Sequence, residues 1–439
     1  MVTGRGRRWG LVAAAAVLLG LVVVGFYRVQ LGRARAAVAR FGPDLAAPDP
    51  QVRVAAAVAL SERAGGWGSG AIAAERPRIL DVLLEGLGAA DVAVCSRAAE
   101  ALARWGPQAA EVLQRGLGSP HQRVRIHAAW ALSITPLPDL IPALRSALQD
   151  GRVEVRVYAL EALGAMALNR VDEELIGDVV FRVWKDTEAL ARNAAAETLY
   201  RLGHATGIPL LVRSLEGRFW ERFNAYERLV RIYAAEDRTL PPFYADGHAA
   251  RRAEEAARIR AVVFEDAALQ RRLIADLAVY KSQLFTATKW ALEEFGPRVV
   301  PALCEALDHA DRSVRVHSAE VLAGMADLST PATFRLEARP ALLAVARPAL
   351  RQRLAAPHPE VSVAMYAMQA LGNLRVAADI DVLLGHARGA DPDLAVSAIE
   401  NIGRIGGPEA RQALEALTVS GELERERQRA LAALDAAVR

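Results

Sequence analysis

Only two cysteines, Cys95 and Cys304, occur in 439 residues, and neither has metal-ligand spacing around it. That scarcity excludes a disulfide framework and a structural zinc site, and each thiol reads as a small buried residue. Histidines are scattered: His121 and His127 share one region and His309 and His317 another, with no H-E-x-x-H and no carboxylate at fixed spacing. No residue is therefore assigned a catalytic, cofactor-binding or metal-binding role. Aromatics amount to 6%, and alternating β-branched runs bounded by tight-turn pairs are missing, so strands are not expected. Acidic residues and lysine are absent from residues 1–43, which hold seven arginines. The whole chain is +3, so residues 44–439 carry 3 − 7 = −4. The body thus lacks the overall positive charge that non-specific nucleic-acid binding requires. A glycine-rich stretch, Gly65-Gly66-Trp67-Gly68-Ser69-Gly70, lacks the strand, the following helix and the Lys-Ser/Thr pair of a phosphate cradle. It reads as a turn between paired helices.

What the sequence has in abundance is alanine and leucine in a recurring frame. In Leu148–Gly164, taking Val155 as zero, Leu148 lies at minus seven, Arg156 at plus one, and Ala159, Ala162 and Leu163 at plus four, seven and eight. Those offsets share one helix face. The frame returns at Val52, Val94, Val124 and Val314, and in weaker form at Ala191, Leu284, Val363 and Leu394, often at intervals of 30 or 31 residues. A fixed period of this size signals a stacked repeat array. Alanines at plus four and plus seven set a close approach of helix axes, and the leucine at plus eight fills the space between hairpins. Apolar residues at plus two (Val54, Ile126, Val157, Val316) are expected to be buried on the opposite side by the second neighbour.

These units resemble HEAT repeats, specifically the short bacterial HEAT-like kind found in phycobilin lyases, over most of residues 45–418. The resemblance implies an all-α solenoid of stacked helical hairpins. It also implies a ladder between repeats, in which an Asp before the helix and an Arg just inside it take part. Asp150 with Arg156 and Asp186 with Arg192 match that spacing, and Arg53, Arg125 and Arg315 occupy the Arg position. Asp49, Asp91 and Asp311 lie closer to their helices and read as N-caps. Cys95, Phe285, Ala364 and Ala395 stand where Arg is missing.

The expected order begins with a short basic tail (1–8), a transmembrane helix (9–27) and a basic juxtamembrane segment (28–43). Trp9–Tyr27 holds no charge for nineteen positions, about 28 Å of helix against a hydrocarbon core of ~30 Å. A cleaved signal peptide with Ala34-Arg35-Ala36 as its small-residue site is the rival, disfavoured by the length of the apolar run and by the arginines. The short tail places the repeat body outside, in the periplasm of a bacterial inner-membrane protein, although arginines on both flanks leave the orientation open. N-terminal repeats (44–216), a degenerate helical insertion (217–276) with a loop at 236–248, C-terminal repeats (277–420) and a capping helix (421–439) follow. Trp105, Trp130, Trp184 and Tyr158 are expected in the core.

Within the insertion, Phe219, Phe223, Tyr226, Val230 and Tyr233 form a stripe expected to pack inward, and a second long helix is expected from Ala249 to Leu277. Pro241 and Pro242 break the intervening loop, where Phe243 and Tyr244 are candidates for exposure. Trp220, Phe243 and Tyr244 are therefore the candidate partner contacts. The insertion at 327–340 is a second segment that could project. Function is expected to be that of a membrane-anchored scaffold for a protein partner, with no cofactor and no nucleic acid. A HEAT-like lyase or other enzyme with a distributed site, and a helical-repeat nucleic-acid binder, remain as alternatives.

Overall fold

The structure, a computed structural model, describes residues 4–63, 69–166, 173–243, 248–278, 282–327, 333–356 and 359–438, with the side chains of 4–18 outside the described part. Every regular element among the described residues is helical, in an all-α helical-repeat solenoid. Two compact units, Met1–Arg170 and Val171–Arg439, divide it.

In the first unit, helix α1 (Gly4–Phe41) precedes α2 (Pro50–Ser61), α3 (Ser69–Ile72), α4 (Arg76–Gly86), α5 (Val92–Trp105), α6 (Ala110–Leu117), α7 (Gln122–Ile134), α8 (Ile141–Ala147) and α9 (Val153–Ala165). Opening helices stack in the order α2, α5, α7, α9, and closing helices in the order α4, α6, α8. The alanine and leucine seam lies in these interfaces: Ala98, Ala101, Leu102, Ala128, Ala131, Leu132, Ala159, Ala162 and Leu163 are fully enclosed. Only at the outermost frame does the seam loosen, with Val52 exposed and Ala59 half-buried. Gly86 and Gly116, one period apart at the ends of α4 and α6, allow the closest approaches. An added Cβ would meet the Val54 side chain at 2.9 Å or the Ala128 Cβ at 2.8 Å. The plus-two residues Ile126 and Val157 are half-buried rather than enclosed, so the opposite side of the helix is less thoroughly covered than expected. N-caps form as anticipated, with Asp49 accepting from the Gln51 amide and Asp91 from the Ala93 amide, each at 2.8 Å.

The second unit comprises α10 (Glu173–Lys185), α11 (Ala189–Arg201), α12 (Ile208–Ser214), α13 (Phe219–Ala234), α14 (Ala249–Phe264), α15 (Ala267–Asp276), α16 (Ser282–Glu294), α17 (Val300–Ala306), α18 (Arg312–Ala326), α19 (Thr333–Ala341), α20 (Arg347–Leu354), α21 (Val361–Leu374), α22 (Ile380–Ala387), α23 (Pro392–Ile405), α24 (Gly407–Ala416) and α25 (Glu422–Val438). From α16 onward the opening helices α16, α18, α21 and α23 stack in sequence and α25 covers α23. Between α11 and α16 the stacking changes. Helix α13 lies on α11 and α14 on α12, while α16 returns to pack on α10, α12 and the 205–207 turn. Thr288, standing where most frames have alanine, bonds Thr206 at 3.0 Å, and Trp184 meets Trp290 edge-on at 5.6 Å.

One expectation is corrected here. The helix anticipated over 249–277 is broken at Glu265–Asp266, because Asp266 caps α15 through the Ala268 and Leu269 amides at 3.0 and 3.2 Å. The segment at 327–340 is helical from Thr333 and runs through one π-turn (Leu342–Ala346) into α20; residues 328–332 lie outside the described part. No helix among the described residues is long and apolar enough to cross a membrane. Most of the span anticipated at 9–27, and the basic tail before it, lies among the undescribed side chains.

Candidate protein-binding surface

The anticipated ladder residues share one geometry. Nη1 of Arg53, Arg125, Arg192 and Arg315 donates to the two carbonyls six and five residues before it, at 2.8–3.1 Å. Arg156 donates to the Asp150 carbonyl at 2.9 Å. Where Cys95 replaces Arg, its Sγ makes the corresponding contact with the Ala89 carbonyl at 3.2 Å, and burial pushes the thiol pKa up. The rest of the guanidinium reaches a downstream carboxylate: Arg125 donates to Asp150 at 2.6 and 3.3 Å, Arg315 to Glu360 at 2.9 Å, and Arg53 to Glu85. The Asp150 carboxylate thus meets the Arg of the preceding repeat, while Arg156 holds the Asp150 backbone. Burial alone would raise the Asp150 carboxyl, but the Arg125 hydrogen bond and the amide of Arg152 outweigh it and hold it below the usual range. Asp186 accepts from the Glu188 amide just before α11 at 3.0 Å and is paired to Arg182 at 3.4 Å. The Arg125–Asp150 and Arg315–Glu360 contacts tie one hairpin to the next.

Helix α13 is different. Its buried face is Ala225, Arg228, Leu229, Ile232 and Tyr233, rotated from the stripe read in the sequence. Arg228 is enclosed and donates to Glu197 of α11 at 2.6 Å and to Asn224 at 3.0 Å. Glu197 also accepts from Arg231 at 3.1 and 2.8 Å and from Arg201 at 2.7 Å. Burial by itself would raise the Glu197 carboxyl; the Arg231 hydrogen bond and the charges of Arg228, Arg231 and Arg201 reverse that and hold it at about 2. Glu221 secures the N-terminus of α13 by accepting from the Arg218 amide at 3.0 Å.

With charge on the inside, the aromatics at the start of α13 face out. Phe219 is 40% exposed, Trp220 68% and Phe223 42%. Their rings contact one another, Phe219 meeting Trp220 edge-on at 4.9 Å and lying parallel to Phe223 at 6.4 Å. The expectation for the neighbouring loop is corrected. Phe243 is only 8% exposed and packs on Tyr226 at 5.6 Å, while the Tyr226 hydroxyl donates to the Pro241 carbonyl at 3.1 Å. Tyr244 lies outside the described residues. Of the three anticipated contacts, Trp220 is exposed, and its companions are Phe219 and Phe223, which the inward-stripe reading missed. The i, i+1, i+4 spacing of those three is the signal that could have found them.

Residues 80–164 and 141–230 match the family model for HEAT repeats. Over this part, the chain is similar to HEAT repeats. No curated protein matches the sequence. Among solved structures, an engineered protein is 20% identical over 92% of this chain and 99% of its own, with a TM-score of 0.30. The karyopherin Kap121p bound to Nup53p is 14% identical over 93% of this chain and 49% of its own, with a TM-score of 0.33, so the chain spans about half its length. Human deoxyhypusine hydroxylase in complex with glycerol is 18% identical over 68% of this chain and 96% of its own, with a TM-score of 0.24.

No group of three or more His, Cys, Asp or Glu suited to a metal ion occurs among the described residues. The Cys304 thiol is pushed up by burial to about 11 and stays protonated at neutral pH. The chemistry this surface offers is apolar contact: three touching rings on a helix fixed from behind by a buried ion-pair cluster.

Proposed function

We propose that the chain is a membrane-anchored scaffold of HEAT repeats that holds a protein partner on the aromatic face of α13 and carries out no catalysis of its own. The observation that carries this reading is the Phe219–Trp220–Phe223 cluster. Large aromatic rings grouped on a rigid support are what the centre of an interface requires, because their ordering cost is met before binding. The ion pairs of Glu197 supply the support.

The anchor belongs to the same reading. Leu19, Leu21, Val22, Val24, Phe26 and Val29 are exposed along α1, an arrangement stable in lipid and unfavourable in water. Further along the helix, Ala34 and Ala37 are buried, and α1 packs on α2 and α3. That packing favours retention of the segment over cleavage near Ala36. The body is assigned to the periplasmic side of a bacterial inner membrane on the sequence grounds already given.

Site-specific photo-crosslinking in cells tests the scaffold. A photoreactive residue at position 220 is expected to give one discrete protein adduct, and one at exposed Val262 on α14 none. Adducts of equal yield at both positions would remove the α13 surface from consideration. Reporter fusions at the C-terminus, one active only in the cytoplasm and one only outside, decide the orientation.

A further inference from the structure

We infer that the C-terminal repeats carry an oxyanion-binding groove, centred on Arg339, Arg375 and Arg404, that takes the carboxylates of an acidic, extended protein segment. The inference rests on the scaffold reading and adds a second surface with a defined chemistry.

The three guanidinium groups come from three different elements. Arg339 lies on α19, Arg375 directly follows α21 and Arg404 sits in the last turn of α23. They line one cavity of about 480 Å³ together with Gln369, Asn373 and a single acid, Asp327. Several arginines elsewhere in this unit are matched by carboxylates: Arg347 and Arg351 hold Asp379 at 2.8 and 2.7 Å, and Arg427 holds Glu424 at 2.7 Å. Among the described residues none of Arg339, Arg375 and Arg404 has such a partner. Arg339 donates to the Leu374 carbonyl at 2.9 Å and Arg404 to the Asn401 amide oxygen at 3.3 Å. The negative ends of α21 and α23 explain why a cation is tolerated beside each. They do not explain why three converge on one cavity, since like charges brought together disfavour one another until an anion joins them. A carboxylate matches the planar donor fork of arginine and would meet that need.

The backbone adds a second sign. Arg375 adopts φ 55° and ψ 46°, a left-handed conformation. Glycine takes up that conformation freely and an arginine only with strain. The position thus keeps a long cationic side chain where chain geometry alone would favour none.

The ligand is assigned to an extended segment because two further cavities also have Arg404 on their walls. One neighbour, of about 560 Å³, has Met365, Tyr366 and Val396 on its walls beside the acids Asp393, Glu400 and Glu422, so apolar side chains of the ligand belong there and its carboxylates at the centre. The other, of about 770 Å³, has Ile405 and Leu434, and its arginines Arg411 and Arg429 are already paired to Asp435 and Glu426. A free inorganic anion would fill the centre and leave these flanks unused. A chain with acidic residues at the centre and apolar residues on either side would occupy all three.

The test is fluorescence anisotropy of a labelled peptide with Glu at its centre and Ala on either side, titrated with the full-length chain in detergent. Binding is expected to weaken with rising salt. It is expected to fall by about tenfold or more in the Arg375→Gly/Arg404→Gln double variant, the loss anticipated for charge-assisted hydrogen bonds. Arg375→Gly relieves the left-handed strain and Arg404 is exposed, so an unlowered Tm shows that the fold is intact. Unchanged affinity in that variant would overturn the groove. Displacement of the peptide by micromolar inorganic phosphate would overturn the peptide assignment in favour of a free anion. Trp220→Ala is expected to leave peptide binding unchanged. Loss of the crosslink at position 220 with peptide binding retained would therefore count against the α13 surface alone, and the converse against the groove alone.

Discussion

The hairpins from α4 to α8 and the helices from α11 to α16 solve the same packing problem with different materials. The first set interlocks alanine, glycine and leucine so closely that a single methyl group would collide, and its helices turn their polar residues outward. The second set fixes α13 to α11 with a buried glutamate among three arginines. Because that ion-pair cluster occupies the inner face, apolar rings are left outside. The comparison teaches that exposure of a hydrophobic cluster here follows from what was placed beneath it. A seam of small residues makes a wall; a charged seam makes a platform.

The sharpest way to break the contrast is to remove the charge. Glu197→Gln leaves Arg228 buried without its counter-ion and is expected to destabilise α13 by about 3–5 kcal/mol, seen as loss of amide-exchange protection over Phe219–Ala234. Acid does the same more gradually. The Glu197 carboxyl, ordinarily near 4.5, lies at about 2. Since the folded value is the lower one, the stabilisation is complete above 4.5 and disappears as pH falls towards 2. It amounts to about 3 kcal/mol, and an acid titration followed by exchange should show α13 loosening in that window. In the regular hairpins the counterpart is Gly116→Leu, which forces a side chain against Ala128. Overpacking of about 1–3 kcal/mol is expected, measured by urea unfolding. The smallest change in stability belongs to Trp220→Ala, within about 0.5 kcal/mol because the ring is exposed. If that variant unfolded the helix, the rings would be structural and the platform description would fail.

The repeat architecture was legible because its signal is local. Ala98, Ala101 and Leu102 advertise one helix face, and the same face recurs a fixed distance on. Arg125 was legible by position, yet its carboxylate partner was not. The acids that meet the equivalent arginines lie 25, 32 or 45 residues downstream, on no common offset. The orientation of α13 was misread for a related reason. Hydrophobic periodicity assumes that apolar residues face inward, and along α13 Phe219, Phe223 and Tyr226 keep the helical spacing although Phe219 and Phe223 face out. What overrides the pattern is Arg228 meeting Glu197, a pairing between two helices that no window along one helix contains. The arginine groove is less visible still, because Arg339, Arg375 and Arg404 come from separate repeats and acquire meaning only when the turns bring them together.

Helix α1 has no break between residue 4 and Phe41, and its C-terminal part is seated on α2 and α3. Under the proposed anchoring of residues 9–27 in a bilayer, the first hairpin would be joined to the membrane by a stiff rod rather than by a tether. The facing of that hairpin is then governed by counting: each residue added between Tyr27 and Ala34 turns it by about 100° around the rod and lifts it by about 1.5 Å. The N-terminal helix would act as a protractor, setting which side of the first hairpins a neighbour in the same membrane encounters.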